Sequence, residues 1–122
     1  MSVFARPSDS AMRRKKLYAL PKKSKKTLHR LVAVLKDDVS PVIRHEAAFL
    51  LGATKNKDAV PYLIYAIRHD KSDLVRHEAT EALGDLGLKT KQVRRLLHDL
   101  LTKDKNPFIR DTADIALGSL GV

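Results

Sequence analysis

The sequence predicts an all-α protein, a short α-solenoid of three helix pairs preceded by a basic N-terminal arm with a short helix. Three observations predict it. One pattern recurs without a gap: V-I-R-H-E-A-A-F-L-L-G at 42–52, L-V-R-H-E-A-T-E-A-L-G at 74–84 and F-I-R-D-T-A-D-I-A-L-G at 108–118. A segment with apolar residues at helical spacing precedes each copy. The closing glycines Gly52, Gly84 and Gly118 lie 32 and then 34 residues apart, the period of a stacked helix-pair array. The arm is 1–23, and the repeats are 24–54, 57–87 and 90–122.

Residues 1–7 read as irregular. Ser8, Asp9 and Ser10 offer N-cap oxygens to a marginal helix over 11–20 that Pro21 closes. Ser24 caps a first outer helix, 24–36, whose apolar face is Leu28, Leu31, Val32 and Leu35. A turn through Asp37, Asp38 and Ser40 leads to Pro41, which suits the first turn of the next helix. Asp58 reads as the cap of a second outer helix, 59–68, with Val60, Leu63, Ile64 and Ile67 on one face. Thr90 caps the third, carrying Val93, Leu96, Leu97, Leu100 and Leu101. Each helix pair leaves an apolar face that only a neighbour can cover, so the pairs must stack. Small residues (Ala47, Ala48, Ala79, Ala82, Ala113, Ala116) let the inner helices approach closely. Arg44, Arg76 and Arg110 open those helices, and the turn residues Asp38, Asp70 and Asp104 are their natural partners in an Asp–Arg ladder.

The chain has 122 residues and no Cys, which excludes disulfides, thiolate nucleophiles and Cys-ligated zinc. No apolar run approaches the roughly eighteen residues of a membrane span, and the N-terminus lacks the apolar stretch of a secretory signal. An intracellular, cytoplasmic protein is expected. Charge is uneven. Residues 1–26 hold nine Lys or Arg against Asp9 alone, so +8 of the net +10 sits there and +2 in the rest. Clustered cations gain free energy by releasing counterions from phosphates. The candidate phosphate contacts are Arg13, Arg14, Lys15, Lys16, Lys22, Lys23, Lys25 and Lys26, with Lys89, Lys91, Arg94 and Arg95 extending the footprint. Tyr18 is a candidate to stack on a base.

The three in-register copies resemble short HEAT-like repeats of the phycobilisome-lyase type, from Lys25 to Val122. The resemblance implies stacked antiparallel helix pairs and a binding or scaffolding role. Within it, His45-Glu46, the run D-A-V-P-Y-L-I-Y-A-I and V-R-H-E-A-T-E-A-L-G-D-L-G are similar to one half of deoxyhypusine hydroxylase. That family is a HEAT-repeat di-iron oxygenase with His-Glu motifs in each half. The resemblance implies His45, Glu46, His77 and Glu78 as iron ligands. Adjacent helical residues project about 100° apart, so one His-Glu pair is poorly placed to chelate alone. His45 and His77 occupy equivalent places on neighbouring helices and point the same way. A second half, hence a homodimer, must complete the site. In the third copy Asp111-Thr112 breaks the pattern. Without metal, R-H-E-A is ordinary helix filler whose Glu suits the helix dipole. The sequence shows no nucleophile–base pair and no phosphate-cradling Gly loop, so an enzyme reading rests on the His-Glu pairs alone.

The leading expectation is therefore a non-catalytic HEAT-repeat scaffold, with no cofactor, whose arm docks on RNA or a ribonucleoprotein through phosphate contacts. One alternative is a half-size, dimeric di-iron hydroxylase. The other is a protein–protein adaptor using the solenoid or its C-terminal edge.

Overall fold

The computed structural model describes residues 7–121. The expectation for residues 1–6 lies outside them. Among the described residues the chain is helical and has no strand: α1 (Pro7–Tyr18), α2 (Lys25–Asp37), α3 (Pro41–Ala53), α4 (Val60–His69), α5 (Asp73–Asp85), α6 (Lys91–Lys103) and α7 (Pro107–Leu120). The pairs α2/α3, α4/α5 and α6/α7 form the three repeats, and α3, α5 and α7 pack side by side as an inner layer. The all-α solenoid read from the sequence is the fold observed.

Two helix starts differ from expectation. α1 begins at Pro7, so Asp9 lies in its first turn, where a carboxylate favours the helix dipole. Proline is at home in the first helical turn, and the chain therefore starts the helix ahead of the Ser8–Ser10 caps. It ends at Tyr18, as the Leu20 amide bonds to Leu17 O at 3.2 Å in a tight turn before Pro21. Asp58 is not the cap of α4. Asn56 caps instead, accepting from the Asp58 amide at 2.9 Å, and a 3-10 turn (Lys57–Ala59) runs straight into α4. Ser24 and Thr90 cap α2 and α6 as read.

The core follows the predicted faces. Leu31, Leu35, Leu63, Ile67, Val93 and Leu97 from the outer helices meet Ile43, Leu51, Val75, Leu83 and Ile109 from the inner ones, all fully buried or nearly so. Ala47, Ala79 and Ala113 at the inner-helix contacts are fully buried. The glycines extend this close approach. A Cβ on Gly52 would sit 2.9 Å from Ala82 Cα and Cβ, and one on Gly84 would sit 3.0 Å from Ala116 Cβ.

The expected Asp–Arg ladder is present, offset by one repeat. Arg44 forks onto Asp70 (Nε–Oδ2 2.9 Å, Nη2–Oδ1 3.1 Å) while donating to the Asp38 carbonyl of its own turn at 2.8 Å. Arg76 forks likewise onto Asp104 and donates to the Ile67 carbonyl at 2.7 Å. Among the described residues Arg110 takes only carbonyls, Asp104 O at 2.7 Å and Lys105 O at 3.3 Å. Asp38 goes to Arg13 of α1 (Nε–Oδ2 3.1 Å, Nη2–Oδ1 3.3 Å). The same aspartates accept the Ser40, Ser72 and Asn106 amides at 2.9, 2.9 and 3.0 Å, and those three residues cap α3, α5 and α7. Burial alone would raise the Asp104 carboxyl, but the Arg76 guanidinium and the Asn106 amide overcome it and hold it below the usual carboxylate range.

α1 is thus not a detached arm. Its Arg13-Arg14 pair stands where Arg44-His45, Arg76-His77 and Arg110-Asp111 stand in the repeats, and Leu17 is buried in the core. It occupies the place of a preceding inner helix against α3.

The glycine contacts yield opposite expectations for one substitution at two sites. Gly52→Ala forces its new methyl into Ala82 and lowers stability by about 1–3 kcal/mol. Gly118, with nothing within 4 Å of its virtual Cβ, gains about 0.5–1 kcal/mol on Gly118→Ala from helix propensity. Thermal or urea melts of the two variants decide; a stabilised Gly52→Ala contradicts the close packing.

Candidate functional site

Along α5, residues 74, 77, 78, 81 and 85 fall within one arc of the helix, given about 100° per residue. The same register on α3 is 42, 45, 46, 49 and 53, and on α7 it is 108, 111, 112, 115 and 119. These positions make the outward surface of the inner layer. It carries exposed Val42, Leu74, Phe108, Phe49 and Ile115 around the His-Glu residues.

A second ladder crosses this surface. His45 Nε2 lies 2.8 Å from Glu78 Oε1 on the next helix. His77 Nδ1 lies 2.7 Å from Thr112 Oγ1, the residue in the glutamate's place on α7. Glu46 receives Arg14 Nε at 2.9 Å and the Tyr18 hydroxyl from α1. Each residue at this position is therefore met by a side chain from the preceding helix. Arg14 stands in the histidine's place on the first rung.

His77 Nε2 turns back along its own helix to Glu81 Oε1, 3.2 Å away. Glu81 also bears on Glu78. Burial, then the Glu81 charge, push the Glu78 carboxyl above its ordinary value, against the pull of His45 and His77. His45, Glu78, Glu81 and His77 thus form one connected group of two imidazoles and two carboxylates. Glu78 is nearly buried, its side chain 11% exposed. Nδ1 of His45 is buried and has no hydrogen-bond partner among the described residues. Sequence reasoning missed Glu81 because its counterparts are Phe49 and Ile115, so repetition gives no signal there.

Of the four residues read as ligands, the structure gathers His45, His77 and Glu78 and sets Glu46 apart against α1. Imidazole and carboxylate donors in this mixture suit a first-row transition metal. The residues fit such a group in type. Among the described residues no three of them converge as ligands of one ion.

The arm cations divide. Arg13 and Arg14 are spent on Asp38 and Glu46, and the Arg14 guanidinium lies 4.6 Å from the Tyr18 ring centre. Tyr18 is thereby a Glu46 partner and an Arg14 platform. Lys15, Lys16, Lys22, Lys23, Lys25 and Lys26 are exposed. Lys89, Lys91, Arg94 and Arg95 are exposed too, but they flank or lie on α6 of the third repeat, while α1 packs on the first.

The α1 clasp has a definite pH dependence. Burial tends to raise the Glu46 carboxyl, but the Tyr18 hydroxyl and Arg14 overcome it and lower it below its ordinary 4.5. Burial and the bond to Glu46 push the Tyr18 phenol up to about 12. A lowered carboxyl stabilises docking above the ordinary value and loses that contribution as pH falls through the folded value. A raised phenol contributes fully below 10 and loses its share as pH climbs toward about 12. Protection of the α1 amides from hydrogen exchange, relative to α5, should hold at neutral pH and drop in acid. Glu46→Gln should show the acid behaviour already at neutral pH, and unaltered α1 protection in that variant contradicts the clasp.

A family model described as HEAT repeats matches residues 28–118. A deoxyhypusine hydroxylase from Aspergillus clavatus is 39% identical over 98 residues, 77% of this chain and 29% of that protein. The structure of human deoxyhypusine hydroxylase in complex with glycerol is similar with a TM-score of 0.66 and 24% identity, covering 95% of this chain and 47% of that one. At that identity the structural likeness is one of fold. The chain spans less than a third of the curated relative it matches. Both resemblances read from the sequence, to HEAT repeats and to half of deoxyhypusine hydroxylase, are borne out. With the family model matching most of its length, the chain belongs to the HEAT-repeat family.

Proposed function

We propose that this chain is a half-site module of the deoxyhypusine hydroxylase type, which binds iron between its inner-helix surface and that of a second copy. The observation that carries the reading is the connected group His45–Glu78–Glu81–His77 on the surface of α3 and α5. The relative from Aspergillus clavatus supports it. His45, His77, Glu78 and Glu81 would hold the metal; Glu46, engaged by Arg14 and Tyr18, would not. Bound iron supplies oxygen-dependent hydroxylation chemistry at two-His-carboxylate sites. The chain's own residues supply the rest. Glu78, little exposed and beside Glu81, gains by meeting a cation that offsets two neighbouring carboxylates. Exposed Val42, Leu74, Phe108, Phe49 and Ile115 give a facing copy apolar surface to cover, which would exclude water from the site.

A second reading, docking on RNA, rests on exposed Lys15, Lys16, Lys22, Lys23, Lys25 and Lys26 around α1 and the start of α2. Such contacts would read backbone rather than bases. It leaves the His-Glu ladder unexplained and stands behind the first.

Elemental analysis of the purified protein with its mass in solution tests the metal reading. Roughly one iron per chain in a dimer, lost in His45→Ala and His77→Ala, is the expected result. A metal-free monomer that takes up no added ferrous iron overturns it, and salt-sensitive RNA retention would then advance the second reading.

A further inference from the structure

The third repeat departs from the His-Glu pattern at Asp111-Thr112, and the structure gives that departure a role. Thr112 is 4% exposed and sits on α7 in register with Glu46 and Glu78. Its hydroxyl has two neighbours, the Phe108 carbonyl at 2.6 Å and His77 Nδ1 at 2.7 Å. A hydroxyl has one proton to give and lone pairs to receive. The carbonyl oxygen can only accept, so the proton goes to Phe108 O. The lone pairs then face His77 Nδ1, and that contact is a hydrogen bond only if Nδ1 carries the hydrogen.

The consequence reaches the other side of the ring. With its hydrogen on Nδ1, neutral His77 presents the bare lone pair of Nε2 to Glu81 Oε1 at 3.2 Å. Two acceptors face each other there. All three contacts are satisfied together only when a cation, a proton or a metal ion, occupies the Nε2 side. His45 is held the opposite way round. Its Nε2 lies against Glu78 at 2.8 Å, and its Nδ1 is buried with no partner among the described residues. A carboxylate at position 112 would draw the His77 ring as Glu78 draws His45. The threonine accepts from the inner nitrogen and leaves the outer one available.

We propose that Thr112 is a positioning residue: it fixes His77 with the hydrogen on Nδ1 and Nε2 turned to the metal-binding surface. The metal half of this proposal rests on the reading above, whereas the placement of the hydrogen stands on the two contacts of the Thr112 hydroxyl. A hydrogen bond to the second nitrogen of a ligating histidine orients the ring and raises its basicity, and losing it weakens metal affinity about ten- to a hundredfold.

The test uses the full chain with Thr112→Val, which keeps shape and removes the acceptor, and Thr112→Ser, which keeps the hydroxyl. Melting curves of both establish that they fold. Long-range proton–nitrogen NMR of the metal-free protein reads which nitrogen of His77 carries hydrogen. Nδ1 should carry it in the wild type and in Thr112→Ser, and lose its preference in Thr112→Val. Cobalt(II), followed by its visible absorption, should bind Thr112→Val about ten- to a hundredfold more weakly than wild type, with Thr112→Ser restored. A bare Nδ1 in the wild type overturns the proposal, as does Thr112→Val with unchanged hydrogen placement and cobalt affinity. Wild-type protein that shows Nδ1–H yet binds no cobalt overturns the metal reading and the metal half of this proposal, and leaves the placement of the hydrogen established.

Discussion

The fork between an inner-helix arginine and the aspartate of the next turn is the contact on which the rest of the molecule depends. It does three things at once. It ties each helix pair to its successor, it orders the Asx turn that feeds the capping residue, and it fixes the axial register of neighbouring inner helices. Arg44 with Asp70 and Arg76 with Asp104 are partly buried pairs whose lone pairs and N–H groups are otherwise satisfied by turn amides and carbonyls. Such a pair is costly to break from one side, because the remaining partner is left without compensation in a region of low dielectric. Register, once set here, is inherited by the adjacent position. That is why the residue after each arginine faces the residue two after the next one, and why histidine meets glutamate across the stack.

Much of this was legible from repetition. Apolar spacing placed the outer helices, the gap-free eleven-residue match placed the inner ones, and the resemblance to half of deoxyhypusine hydroxylase pointed to the residues of the second ladder. At the N-terminus charge obscured the repetition. The nine cations of residues 1–26 dominated the reading of α1, although Arg13-Arg14 with Leu17 already stands at the repeat's spacing before Arg44-His45 and Ala48. An alignment of short, substituted units is weak wherever the apolar residues are few. Asp58 illustrates a different limit: Asn56, two residues earlier, captured the turn because its amide oxygen reaches the Asp58 amide, and nothing in residue type alone ranks one cap above the other.

The His-Glu residues show why a motif and a site are different objects. Side by side in sequence, His45 and Glu46 serve different neighbours, one facing α5 and the other α1. The chemical unit is distributed over helices, His45 with Glu78 and His77 with Thr112, joined at the surface through Glu81. Glu81 and Thr112 are the residues that break the repeat, and they are the ones that distinguish the two histidines. A periodic scaffold makes equivalent positions; the exceptions make them unequal.

The Arg14 rung carries one last consequence. Arginine, histidine and, at the far end, aspartate all occupy the same socket on successive helices, while the buried leucines and alanines behind them keep their places. Structural load and chemical identity are therefore carried by separate layers of the same helix. In a stack of this kind, the chemistry of a rung is interchangeable hardware. A lineage can rewire one face of the array, swapping a cationic clasp for a ligand or a ligand for an anchor, without renegotiating the fold that displays it.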